Sequence, residues 1–435
     1  MKKIYKLNIG LLAALLLTVS SCKLDIANPN APTDADVLTT REGIIGSSVG
    51  LRQYYSTSCI GASYFYPAVT ARELQGTATF TNVLELEAGG TALPTANGSI
   101  LTLWSNMQKL MGMSEDVINN AGNISTITGG TLSGVMANAK LYKAIALGTL
   151  ATSFEQSNIN TDKSGKAVFY PRQAVLAEAI RLLNDAIAQV TATPVSADFN
   201  TNVAGANFSL INVLNAFSAR YNLMAGNYAA AITSATAVDL SSRSQFVYST
   251  TTVNPLWNTS AILKYYTPRA GFGLPSALFE AGDLREAFYV TTTGSGASAI
   301  RTLKGFATEQ TGIVPFYLPD EMKLIRAEAI LRSNGAVSDA LVLINQVRTQ
   351  TSGDVFGVYA GLPAYSGTVS KDALLLEVYK QRCAELFLTG QRLEDSRRFG
   401  RPAPPTDTSE RNRNFYPYPD QERITNSNTP ADPSI

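Results

Sequence analysis

The sequence predicts a mainly α protein: stacked helical hairpins with long irregular loops beside them. Two observations carry that reading. Apolar residues recur at helical spacing through most of the chain between about 40 and 389, with small-residue turns between the runs. Two stretches, 62–94 and 239–312, lose this period and become mixtures of Gly, Thr and aromatic residues. Loops of that length inside a globular body are usually functional or disordered.

From the N-terminus, Lys2, Lys3 and Lys6 precede the apolar run Leu11 to Val19, the order of charge and hydrophobe found in a secretory signal. The run is shorter than the roughly 20 apolar residues a spanning helix needs. Ser20 and Ser21 suit a peptidase, and Cys22 after them resembles the acylated lipobox cysteine of bacterial lipoproteins. Residues 1–21 are therefore expected to be a signal peptide, with Cys22 carrying acyl chains worth about 0.8 kcal/mol per buried CH₂. Anchoring rather than spanning is the expectation. The Asn- and Pro-rich stretch 22–33 reads as a tether.

A first helix is expected over about 40–58, through Ile45, Val49 and Tyr54. The region 62–94 reads as loop, with a short strand at Val83 to Leu86. Helices return at about 98–121 and 131–155. Leu101, Trp104, Met107, Leu110 and Met111 follow a regular face in the first, which assigns Trp104 to the core. After the helical segment "PRQAVLAEAIRLLNDAIAQV", Leu214, Phe217 and Tyr221 mark one helix, Gly226 a turn, and Tyr228, Ile232 and Ala235 the next. A small-residue turn followed by Tyr-x-x-Ala is how a tetratricopeptide hairpin is written, because small side chains let two helices approach. The pattern recurs in Leu324, Ala327, Ile330 and Leu331, a turn at Asn334 and Gly335, then Ala340, Ile344 and Val347, with Ser338 as the expected N-cap. A last helix over about 371–389 is expected to stop at Gly390.

Composition narrows the chemistry. The formal net charge is +1, from 35 basic and 34 acidic residues, so no long-range field favours nucleic acid. Charged residues make up only 16%, below the usual quarter, and such a neutral polar surface suits uncharged ligands. The chain has no histidine, which removes His-activated nucleophiles and His-bearing zinc sites. Beyond Cys22, only Cys59 and Cys383 remain, too few for a cysteine metal cage. Two packed free thiols are expected, with one bridge as the alternative. No metal and no cofactor is expected.

Near the C-terminus, Arg382, Glu385, Leu386, Gly390, Arg392, Asp395, Arg397, Arg398 and Gly400 form a spaced signature. With "AEAILRSNGAVSDALVLINQVR", "FYPYPDQERITNSN" and the start "CKLDIANPNAPT", they make the sequence resemble the SusD/RagB family of Bacteroidetes surface lipoproteins. Gln381, Thr389 and Ser396 depart from that family's pattern. The resemblance implies one SusD-like body over 22–435, with an N-terminal segment 22–240 and a C-terminal segment 241–435. It also implies four tetratricopeptide-like pairs and a lipid-anchored place on the outer membrane. There such proteins act as lids on a SusC-like TonB-dependent transporter, capturing glycans or, in the RagB branch, peptides. A binding protein and not an enzyme is expected. The alternatives are a tetratricopeptide-like scaffold that binds another protein, and a carboxylate-based glycoside hydrolase.

The charged cluster of Arg382, Glu385, Arg392, Asp395 and Arg397 is expected to be structural, with Arg382 and Glu385 one helical step apart and able to pair. Glu85 and Glu87 would point the same way on a strand, about 7 Å apart, a spacing compatible with a hydrolytic pair. For binding, a sugar's C–H face stacks on a flat aromatic ring while its hydroxyls need polar partners. Tyr64, Tyr66, Arg72 and Glu73 in the first loop region, and Trp257, Tyr265 and Tyr266 in the second, offer that chemistry. The loops at 62–94 and 245–310 are expected to converge on one site.

Overall fold

The structure is a computed structural model that describes residues 37–435; the signal at 1–21 and Cys22 lie outside the described residues. The first helix, Arg41–Tyr54, starts behind Thr40, whose hydroxyl accepts from the Gly43 amide at 3.2 Å. It runs through a π-turn, Tyr55–Cys59, straight into a further helix, Ile60–Thr70. The expected loop therefore begins only after Thr70. Ile60, Ala68 and Val69 are fully buried and Phe65 nearly so, which is a helical spacing. Aromatic residues on both sides and Pro67 inside the run hid it from periodicity.

The strand expected at Val83 to Leu86 is also a helix, Thr81–Ala88. Val83 and Leu86 are buried three residues apart, so one helical face explains the apolar pair that alternation seemed to explain. The strand of this region is Leu74–Gly76 instead, paired antiparallel with Tyr266–Pro268.

The helices Gly98–Asn120, Gly129–Ser153 and Arg172–Ala192 then pack side by side in chain order. Asn97 caps the first, its side chain accepting from Ser99 and Ile100 amides at 2.9 and 3.2 Å. The Gly129–Ser153 helix is buried on nearly all sides because neighbours cover it on both flanks. Among the described residues, no helix is long and apolar enough to cross a membrane.

Both predicted hairpins are present, as Leu210–Ala225 with Tyr228–Thr236, and Pro319–Arg332 with Val337–Arg348. Gly226 ends the first hairpin's leading helix at φ +83°, the left-handed conformation that favours glycine. Asn334 takes the same role in the second at φ +59°. Ser338 does not cap the next helix. That helix starts at Val337, and the Ser338 hydroxyl donates to Asp339 Oδ1 at 3.3 Å. The helix Lys371–Glu385 packs on this hairpin and ends five residues before Gly390. Residues 239–312 are largely irregular, stiffened by short pairings such as Val290–Thr293 with Ile300–Leu303.

One apolar core runs through the helical stack, and a smaller one, including Leu331, Ile344 and Val378, lies under the last hairpin. The C-terminal tail folds back onto the main core. Trp104, 3% exposed, packs among Phe154, Phe169 and Tyr418 and donates its indole N–H to Glu422 at 3.0 Å. Cys59 and Cys383 are both buried free thiols, not a bridge.

Candidate functional site

The charged C-terminal cluster lies inside the protein. Arg382 holds Asp395 with two hydrogen bonds, 2.8 and 3.0 Å, while Arg398 joins Asp395 to Glu328. Burial opposes charge on Asp395, but the two guanidiniums outweigh it and hold the carboxyl below its ordinary range. Arg382 and Glu385 do not pair with each other in the way their spacing suggested. Glu385 turns instead to Arg285, 3.1 Å away, which also grips Asp283. Arg397 ties this region to the Thr152 carbonyl at 2.7 Å, and Arg392 donates to the Tyr379 hydroxyl at 3.1 Å. The cluster joins the last hairpin, the Lys371–Glu385 helix and the tail.

Glu85 and Glu87 lie two residues apart on a helix, so their side chains diverge around its axis. Glu85 accepts from the Asn97 side chain at 2.8 Å, and Glu87 pairs with Arg72 and Arg269. Neither carboxylate faces the other across a sugar-sized gap, as both the inverting and the retaining glycosidase arrangements need.

The two predicted loop regions meet. Gln75 pairs with Thr267 and Gly76 with Tyr266, and the Thr77 amide continues the contact to the Tyr265 carbonyl at 2.9 Å. Strand alternation then sorts the side chains. Tyr266 and Pro268 point inward, and Tyr266 stacks on Phe65 with centroids 5.3 Å apart. Tyr265, Thr267 and Arg269 share the opposite, half-exposed face, beside exposed Gln75. Tyr265 meets the edge of Phe80 at 5.4 Å, and Phe80 is 56% exposed. Leu84, Ile262 and Leu263 are exposed on the adjoining elements.

At the other end of this strip, Arg72 and Arg269 converge on one carboxylate. Glu87 receives Arg72 Nη1 at 3.2 Å, Arg269 Nη2, and the Gly76 amide at 2.9 Å. Arg72 Nε also donates to the Thr408 carbonyl and Arg269 Nε to the Leu74 carbonyl, both at 3.1 Å. Arg72 has φ +63°, and Gly273 passes so close that a Cβ there would sit 1.8 Å from the Arg72 carbonyl oxygen. Together these residues border an open cleft of about 490 Å³.

The remaining predicted residues lie elsewhere. Glu73 is fully buried beneath the strip. It accepts from the Leu388 amide at 3.4 Å, and burial, partly offset by Arg392, pushes its carboxyl up to about 8. Tyr64 lines a small, half-open cavity of about 40 Å³ with Arg220 and Tyr221, its phenol pushed up to about 12 by burial. Tyr66 is half-buried near Tyr265 and Tyr266, and burial raises its phenol too. Trp257 is half-buried in the short turn of helix Pro255–Trp257. Sequence reasoning missed Phe80 and Arg269. Phe80 stands in "TATFTN", and a lone aromatic among small polar residues is a readable surface signal.

No family model matches the sequence, and comparison with curated proteins finds no relative. Solved structures are similar over nearly the whole chain. A SusD superfamily protein from Bacteroides thetaiotaomicron has a TM-score of 0.71 at 16% identity, covering 91% of this chain and 100% of its own. One from Bacteroides fragilis has 0.69 at 15%, covering 90% and 99%. A SusD-like carbohydrate binding protein from Bacteroides vulgatus has 0.67 at 14%, covering 92% and 97%. Helical stack, converging loops and returning tail together give this chain the SusD fold.

Proposed function

We propose that this protein captures an oligosaccharide on the strip between the Leu74–Gly76 and Tyr266–Pro268 strands, without cleaving it, and delivers it to a SusC-like TonB-dependent transporter in the outer membrane. The observation that carries this reading is the exposed Phe80 ring against Tyr265, next to the side chains of Gln75 and Thr267. Flat rings accept the apolar face of a pyranose, and amide and hydroxyl groups at the same surface meet its hydroxyls. The SusD fold and the carbohydrate-binding description of one structural neighbour support the same ligand class.

Tyr265 and Phe80 would stack on the sugar, Tyr66 and Tyr266 would support them from beneath, and Trp257 and Tyr64 would act outside the strip. Acylated Cys22 would hold the body at the membrane. Replacing Cys22 with Ala is expected to release the protein from the membrane fraction. Retention of correctly cleaved Cys22→Ala protein would contradict the anchor. Binding to a panel of oligosaccharides, with chromatography of the recovered sugars, tests the capture itself: a bound and intact oligosaccharide is expected.

A further inference from the structure

Resting on that capture reading, we propose that the oligosaccharide is acidic, and that its carboxylate or sulfate lies against Arg72 and Arg269 while a neighbouring sugar stacks on Phe80 and Tyr265.

Two cations here share one anion. Glu87 is the only carboxylate among the described residues that pairs with either arginine. The acids on adjoining loops are turned to backbone amides: Glu286 accepts from Gly271 at 3.0 Å and Asp407 from Ser409 at 2.8 Å. Nη2 of Arg72 and Nη1 of Arg269 have no hydrogen-bond partner among the described residues. Both guanidiniums border the 490 Å³ cleft, a volume within the usual range for ligand sites. An anion there would take charge-assisted hydrogen bonds from donors already fixed in position by Glu87 and by carbonyls.

The electrostatics agree. Arg72 has its cation disfavoured by burial and by Arg269, and Glu87 offsets only part of this. A second anion would relieve the Arg72 guanidinium. The near-neutral charge of the whole chain does not bear on such a site, because exposed charges beyond about 10 Å are screened.

Geometry sets the ligand's size. Tyr265 and Arg269 flank the strand Tyr266–Pro268 on either side, four residues apart, or about 13 Å of extended chain. Several linked sugars cover that span and a single one does not. The ligand would thus carry its acidic group some residues away from the stacked ring.

The test is calorimetry of the full-length protein with paired probes: oligogalacturonate against its methyl ester, and a sulfated glycosaminoglycan oligomer against its desulfated form. The acidic member of one pair is expected to bind at least about tenfold tighter, and the responding pair identifies carboxylate or sulfate. This preference should shrink with added salt and fall in folded Arg269→Gln. If Arg269→Gln fails to fold, Arg269→Lys and the salt dependence serve in its place. Equal binding within both pairs, or tighter binding of the neutral members, would overturn the acidic assignment alone. No binding by these or by neutral oligosaccharides would overturn the capture reading with it.

Discussion

Arg382 and Asp395 are joined by two hydrogen bonds of 2.8 and 3.0 Å, with both side chains almost completely buried. The pair links the end of the Lys371–Glu385 helix to the Arg392–Arg398 helix that follows it. Removing one partner of such a pair leaves the other charged and dry, which costs about 3 to 5 kcal/mol. Asp395→Ala is therefore expected to lower the melting temperature sharply, while the fraction that stays folded binds ligand normally. The pH dependence has a fixed sign: the folded carboxyl lies below its unfolded value of about 3.9, so its stabilisation is complete above that pH and lost as pH falls below it. An unchanged melting curve with ligand binding abolished would move this cluster into the site.

Glu73 titrates in the opposite sense. Its carboxyl is raised to about 8 in the folded chain, so between about pH 4.3 and 8 the unfolded state releases a proton that the folded state keeps. Stability from this group falls as pH rises through that window. Glu73→Gln keeps an oxygen for the Leu388 amide and is expected to be more stable than the wild type at pH 8, with no advantage at pH 4. Parallel melting curves of the two proteins from pH 4 to 8 would refute the buried acid.

Adjacent tyrosines should separate cleanly. Tyr265→Ala removes a half-exposed ring from the strip and is expected to weaken ligand binding by about 1 to 3 kcal/mol, with the melting temperature nearly unchanged. Tyr266→Ala empties a buried, stacked position and is expected to cost about 3 to 5 kcal/mol of stability. Calorimetry and thermal melts on both variants check the assignment, and a reversed pattern would put the strip on the wrong face.

Gly273→Ala tests how the arginines are held. At φ +69° and with a Cβ 1.8 Å from the Arg72 carbonyl, the alanine must push the two segments apart. The expected result is weaker ligand binding together with a lower melting temperature. A variant indistinguishable from wild type would show that this close approach is not needed.

The helical stack was legible because Leu214, Phe217 and Tyr221, or Leu324, Ala327 and Leu331, repeat at helical spacing on buried faces. Where helices were missed, at Ile60–Thr70 and Thr81–Ala88, aromatic residues on both faces or a short apolar alternation obscured the period. The meeting of the two loop regions was anticipated, but the pairing of Gln75 with Thr267 was not. Register between segments nearly 200 residues apart leaves no local trace. Tyr265 and Tyr266 looked equivalent in sequence because alternation assigns opposite faces only once a strand is known. Glu73 was a candidate ligand contact beside Arg72, and its complete burial, with the Leu388 amide donating to it, shows otherwise.

The central claim is capture without chemistry at the Phe80 and Tyr265 strip, and one titration tests it most directly. The full-length protein is titrated with each oligosaccharide that it retains from a panel, beside a Phe80→Ala, Tyr265→Ala double variant, and the sugar is recovered for mass analysis. Saturable binding by the wild type, at least about tenfold weaker binding by the folded variant, and sugar of unchanged mass are the predicted result. Wild-type affinity in the variant, or shortened sugar after incubation, would contradict the account.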